Sequence, residues 1–276
     1  ESYGVAESVS NLEGQALSRI VAGAALHGLG EIDRAIEVME QAVGLGKQVE
    51  SVFAVSSIGV NLALLYLTLG ATERGLKLAA QSREMARQRF MPLVPYALSA
   101  EARLDLANDN IAGAEAALAG SDYREIRDQF RSFVPIWIQV GLAQIEIELA
   151  KENYERAEDL AVALVNDLEK TMGRLAATRV LYLQGQAQLG RRNVEGAQET
   201  LIRARAEAEE IGSRRTLWKI LAALAEIQAG QGETSAAKEL REQAQEIIRY
   251  ITDHTSDASL RTSFLSRADV KSLLAN

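Results

Sequence analysis

Two histidines, His27 and His254, stand 227 positions apart in a chain without cysteine, so neither a helix-borne histidine pair nor a thiolate set is available to hold a metal ion. Ser235 and Lys238 have the Ser-x-x-Lys spacing that can activate a serine nucleophile. The companion motifs of that chemistry are missing, and the pair is expected to be a coincidence at the start of a helix. The glycine pairs Gly28/Gly30 and Gly230/Gly232 are followed by no Lys-Ser/Thr and preceded by no strand, so they predict turns rather than a phosphate loop. Glu146 and Glu148 have no partner in the sequence that lifts them above ordinary surface carboxylates. Residues 123–137 interleave Arg124, Arg127 and Arg131 with Phe130, Phe133 and Trp137. Such a mixture can hold an anion or stack on a planar ligand, but the favoured reading is a helical extension that packs its rings inward and solvates its arginines. His27, beside Gly28, is expected to be a cation favourably placed at a helix C-terminus. As a set, the residues needed for nucleophilic, metal or phosphate chemistry are missing, which predicts a binding protein without cofactors rather than an enzyme.

The elements that must position any binding residues are helical. From Leu221 the sequence LAALAEIQAGQGETSAAKELREQAQEII carries Leu221, Leu224, Ala225 and Ile227 into a Gly230-Gln231-Gly232 turn. A second stripe then runs through Ala237, Leu240, Ala244 and Ile247. Taking Ala237 as an anchor, equivalent small residues occur at Ala197, Ala157, Ala114, Gly75 and Ala35, at intervals of 40, 40, 43, 39 and 40 residues. Twelve residues before the anchors stand Gly23, Ala63, Ala102, Ile145, Gly185 and Ala225. Small residues at both offsets let two helix backbones approach closely. Gly28, Gly190 and Gly230 fall seven residues before an anchor, and Gly30, Gly70 and Gly232 five before, where a hairpin must turn. Agreement at four offsets predicts a repeat array.

Apolar residues make up 47% of the 276-residue chain and aromatics only 5%, so the core must be built from alanine and leucine in close helix contacts. A near-constant period predicts one elongated solenoid with a continuous core, a single repeat domain over residues 1–276, with repeats at about 12–252. The net charge of −8, from 30 basic and 38 acidic residues, argues against direct nucleic-acid or anionic-membrane binding. No transmembrane run or signal core is present, and the lack of cysteine fits a reducing cytoplasm. The chain begins Glu-Ser-Tyr-Gly with no initiating Met, which suggests a piece cut from a longer polypeptide, the more economical reading for a repeat array, or a processed product.

Along the chain, a frayed lead-in gives way to a hairpin over about Leu12 to Gly46, then to a second from Ser51 to Arg89 whose first helix is apolar nearly all round. Pro92 and Pro95 open the third unit. Its second helix, from Ile111 to Gly120, is short and thin, so something else must fill the space. Asn110, Asn153 and Asn193 precede second helices and are expected N-caps. The fourth and fifth hairpins span about 134–170 and 173–211, and the sixth continues to Tyr250 or Thr252. Residues 256–276, with Leu260, Phe264, Leu265, Val270, Leu273 and Leu274, predict a C-terminal cap of one or two short helices.

The helix-turn-helix units, the paired small residues and the Gly-Gln-Gly-Glu turn before Ala237 resemble tetratricopeptide repeats over about Leu12 to Thr252. The period is longer than the usual 34, and the usual tryptophan and closing proline are missing. Units of about 40 residues and the tail around Leu260-Arg261, Ser263-Phe264-Leu265 and Leu273-Leu274 resemble the C-terminal helical arrays of large bacterial signalling ATPases and maltose-regulator-type transcriptional activators. The resemblance implies an all-α, right-handed superhelical solenoid of about six antiparallel hairpins. It also implies a non-catalytic interaction or sensing segment, with a protein or peptide partner or other domains of the same polypeptide. A small-molecule inducer sensor and a self-associating module are the alternatives. In such a stack the first helices form the inner face. Positions about eleven and fifteen residues before the anchors then place Tyr96, Ser99, Arg103, Gln139, Glu146, Arg179, Tyr182, Gln186, Lys219 and Glu226 there as candidate partner-binding residues.

Overall fold

The computed structural model describes residues 11–169 and 174–275, all of whose regular structure is helical. The six hairpins are α1 (Leu12–Leu29) with α2 (Ile32–Gln48), α3 (Val52–Thr68) with α4 (Thr72–Arg89), and α5 (Val94–Leu106) with α6 (Ile111–Ala117). An inserted helix, α7 (Tyr123–Gln129), precedes α8 (Val134–Ala150) with α9 (Tyr154–Leu168), α10 (Arg174–Gly190) with α11 (Val194–Glu210), and α12 (Arg214–Gly230) with α13 (Thr234–Asp253). The chain then runs through α14 (Ala258–Ser266) and α15 (Ala268–Ala275). The expected lead-in over the first ten residues, and Lys170 and Gly173 at two hairpin ends, lie outside the described residues. Among the described residues no helix is long and apolar enough to cross a membrane.

The anchors do what their size predicts. Ala35, Ala114, Ala157, Ala197 and Ala237 are fully buried, as are Ala63, Ala102, Ile145 and Ala225 on the facing helices. At Gly75 an added Cβ would stand 2.6 Å from Leu104 Cδ2 and 3.1 Å from the Ala63 carbonyl oxygen, so a side chain there would displace Leu104 and press on the α3 backbone. The residue five before each anchor has a positive φ in every hairpin: Gly30, Gly70, Asp109, Glu152, Arg192 and Gly232. Three of the six turns therefore hold an L side chain in left-handed geometry.

The third unit fills its gap as the insertion requires. Tyr123 is fully buried, its backbone N–H donates to Gln144 Oε1 at 3.3 Å, and Gln144 Nε2 donates to the Ser121 carbonyl at 2.6 Å. Trp137 is buried, and Phe133 packs with Phe53 and Phe90 at centroid separations of 5.8 and 6.2 Å. Arg124 and Arg131 are exposed, while Arg127 pairs with Asp128 and Asp167. The Arg/aromatic stretch is thus packing rather than a ligand cradle. Asn110 and Asn193 cap their helices, accepting the amides of Gly113 at 3.0 Å and Gly196 at 3.1 Å. Asn153 does not, and instead donates to Glu148 Oε2 at 2.8 Å.

The expected elongation is replaced by closure. The first helices form an inner ring in which α1 touches α3, α3 touches α5, and contacts continue through α8, α10 and α12, which returns to α1. The second helices lie outside them. Asp33 N–H donates to the His254 carbonyl at 3.0 Å, and the Asp33 carboxylate accepts the Ser256 backbone N–H at 2.9 Å and its hydroxyl at 3.0 Å. Tyr250 donates its hydroxyl to Glu31, and Arg214 reaches the Leu29 carbonyl at 3.2 Å while lying 4.0 Å over the Tyr250 ring. Arg74 meets Asp257 at 3.1 Å, and Arg267 caps the end of α3 through the Leu67 and Thr68 carbonyls at 3.2 and 3.0 Å. The accessible area of 13027 Å² is only modestly above the roughly 11,700 Å² expected of a compact protein of this mass. One superhelical turn is enough to bring the ends together, and the shared period alone does not reveal that.

Candidate functional site

The inner ring carries its polar groups on one stripe of each first helix, a consequence of the 3.6-residue repeat applied at a fixed distance from the anchors. On α5, Arg103 is 2% exposed. Its Nε donates to Glu146 Oε2 on α8 at 2.8 Å and its Nη1 to Gln139 Oε1 at 2.6 Å. From α10, Arg179 donates to the other oxygen of the same carboxylate. Burial alone would raise the Glu146 carboxyl, but Arg103 and Arg179 overcome it and hold it at about 2. Four of the ten expected residues thus form one partly buried network.

A cavity of about 310 Å³ opens beside this network, between the ends of α3, α5 and α8, the middle of α10, the start of α12 and Arg267. Tyr182 and Lys219 line it with Arg103, Glu146 and Arg179, so five of the expected residues share one space. Leu106, Leu149 and Leu183 supply an apolar wall. Gln186 and Glu226 lie in a smaller neighbouring depression with Tyr182 and Lys219. Tyr96 and Ser99 are both buried, Ser99 donates its hydroxyl to the Tyr96 carbonyl at 2.7 Å, and burial pushes the Tyr96 phenol up to about 12.

Several residues of the site escape the offset rule. Arg215 and Trp218 come from the first turns of α12, and Arg267 from the junction of α14 and α15. Arg215 Nη1 donates to His27 Nδ1 at 3.3 Å, which leaves the His27 proton on Nε2, donating to Thr68 Oγ1 at 2.9 Å. Thr68 in turn donates to the Leu64 carbonyl at 3.1 Å. His27 does sit in the last turn of α1, but burial and then Arg215, Arg179 and Arg103 drive its pKa well below 6.5. It is a neutral hydrogen-bonded spacer rather than the cation expected at a helix end.

The electrostatics of the cavity are one-sided. Burial, followed by Arg179 and Arg103, lowers the proton affinity of Arg215, although a guanidinium remains charged at neutral pH. Burial and Arg267 push Lys219 down to about 8. Arg103 Nη2, Arg215 Nε and Trp218 Nε1 are buried donors without partners. Arginines holding one carboxylate, with further donors unused, can bind an acceptor-rich group.

No protein-family model matches the chain, and no curated protein matches it. Among solved structures it is similar to a Signal Transduction ATPase with Numerous Domains (STAND) protein with a tetratricopeptide repeat sensor from Pyrococcus horikoshii, with a TM-score of 0.59 and 15% identity. The similarity covers 88% of this chain and 37% of that one, so the chain spans little more than a third of its neighbour's length. At this identity the likeness is one of fold, and the fold of this chain is a tetratricopeptide-like helical array.

Proposed function

We propose that the chain is the non-catalytic sensing segment of a larger signalling protein, and that it holds a small polar ligand inside its closed superhelical turn. The observation that carries this reading is the meeting of the first and last hairpins around the Arg103–Glu146–Arg179 network. An open concave groove would suit a peptide, whereas a cavity of about 310 Å³ lies at the small end of the range for ligand pockets. Because Arg215 and Arg267 reach both the cavity and the seam, a bound ligand would bias the closed turn against an open one. On this reading residues 1–276 form one repeat domain working in the cytoplasm, with α14 and α15 as its cap. Protein partners, or other domains of the same polypeptide, then meet the outer helices.

The test is native mass spectrometry of the chain after incubation with the small-molecule fraction of its source cells, with thermal unfolding followed in parallel. A reproducible adduct that raises the unfolding temperature is expected. No adduct and no shift, together with a folded protein partner captured on the outer helices, would replace the sensor by a plain interaction scaffold. Turnover of a substrate by the purified chain would overturn the non-catalytic assignment.

A further inference from the structure

Five cationic side chains, Arg103, Arg179, Arg215, Lys219 and Arg267, line one cavity in a chain whose net charge is −8. Two carboxylates stand against them. Glu146 is already shared between Arg103 and Arg179, and Asp269 pairs with Arg267 at 2.7 Å and lies 3.6 Å from Lys219. The remaining positive charge is held in partly desolvated space, where like charges repel more strongly than in water. Solvated surface lysines would not need such an arrangement.

The donor inventory points the same way. Arg103 is 98% buried, yet its Nη2 has no partner, and Trp218, equally buried, leaves Nε1 unused. Arg215 Nε is a third unpaired donor. All three residues line the cavity, although these three nitrogens are themselves closed off from it, so a ligand would reach them only after the side chains turn. A monocarboxylate brings one charge and two oxygens. A phosphate monoester brings up to two charges and three free oxygens, a closer match to a surplus of more than one cation. Tyr182, the Trp218 ring and Leu149 also line the cavity and suit a planar or apolar body.

We propose that this cavity is an anion site for a small organic phosphate, with its dianionic head among Arg103, Arg179, Arg215 and Lys219 and its body against Tyr182 and Trp218. The proposal rests on the sensor reading of the same cavity and assigns its ligand a chemical class. The volume favours a monophosphate of a compact body over a dinucleotide or a phosphopeptide.

The probes are phenyl phosphate, inorganic phosphate, succinate and glucose, titrated calorimetrically into the full 276-residue chain at matched ionic strength. Phenyl phosphate should bind more tightly than inorganic phosphate, both more tightly than succinate, and glucose not at all. Arg215→Gln and Lys219→Gln should each weaken phenyl phosphate by about tenfold or more, the scale of one lost charge-assisted hydrogen bond. Binding unchanged in both variants would place the anion elsewhere and overturn the proposal. If Arg215→Gln fails to fold, Lys219→Gln and the wild-type ranking decide. Succinate outranking both phosphates would overturn the phosphate class. A neutral adduct from the cell extract with no anion binding would defeat the anion site while leaving the sensor reading intact, and failure of both would defeat the sensor as well.

Discussion

Glu146 is the residue on which the interior depends, because its carboxylate is the shared counterion of Arg103 and Arg179. Glu146→Gln keeps the shape and removes the charge, leaving two guanidinium groups facing one another. Since Glu146 retains 17% side-chain exposure, the expected cost is about 2–3 kcal/mol, below that of a fully buried pair, read as a lower denaturation midpoint. A midpoint equal to wild type would mean that solvent already screens the network. His27 gives a separate pH signature. Its folded pKa lies well below 6.5, so between the two values the unfolded chain binds a proton that the folded chain refuses. Stability must then fall as pH falls below about 6.5. Glu146, held at about 2, does not titrate in that window. Comparing wild type with His27→Gln between pH 7 and 5.5 cancels other groups, such as Glu101, whose carboxyl burial pushes up. A shallower slope in the variant is expected, and equal slopes would show that His27 does not govern acid sensitivity. Arg103, Gln139, Glu146 and Arg179 were legible in the sequence because a helical stripe at a fixed offset from a small anchor must face inward. The partner of His27 was not legible. Arg215 is 188 positions away and meets it only when the turn closes.

At the scale of the element, the helices and their limits follow from local chemistry: small anchors, capping asparagines and breaks near the glycines. The turns show where that chemistry is imperfect. All six residues five before an anchor adopt positive φ, yet only Gly30, Gly70 and Gly232 are glycine. Glu152 at 59° and Arg192 at 62° carry a Cβ in a conformation that disfavours it. Glu152→Gly and Arg192→Gly are each expected to stabilise the chain by about 0.5–1 kcal/mol, the strain relieved exceeding the entropy that glycine restores to the unfolded state. Gly232→Ala is the converse. No atom lies within 4 Å of its would-be Cβ, so any destabilisation reports backbone strain rather than a clash. Denaturation midpoints of the three variants check the sign, and destabilisation by both glycine substitutions would remove strain as the explanation. The inserted α7 was only half legible: the extra length and aromatic content marked it, but its fit against α8 through Tyr123 and Gln144 depends on three-dimensional packing.

At the scale of the whole molecule, closure is the feature hidden from the sequence, because small rotations between successive hairpins accumulate without any one residue encoding the sum. Its physical basis differs from that of the hairpins. Within and between neighbouring hairpins the contacts are buried and apolar, whereas the seam relies on polar and partly exposed pairs: Asp33 with Ser256, Arg74 with Asp257, and Arg267 with the end of α3. Apolar side chains also meet across the seam, with Ile251 against Gly30 and Leu29 against Gly212. Polar, solvent-accessible contacts open at lower free energy than a core, so the turn should open before it unfolds. Closed, the chain should show a radius of gyration of about 19 Å, the value for a compact domain of this length. The double variant Asp33→Ala, Arg74→Ala removes the acceptor of Ser256 and the partner of Asp257 without touching the cavity lining. Small-angle scattering of this variant should give a larger radius and a longer maximum dimension at unchanged helical content, and amide exchange at Ser256 and Leu260 should quicken while the cores of α8 and α10 stay protected. An unchanged radius would mean that the remaining seam contacts hold the ring. Cooperative loss of helix would mean that closure is part of the fold itself rather than a clasp upon it, and a ligand at Arg215 and Arg267 would then have no open state to select against.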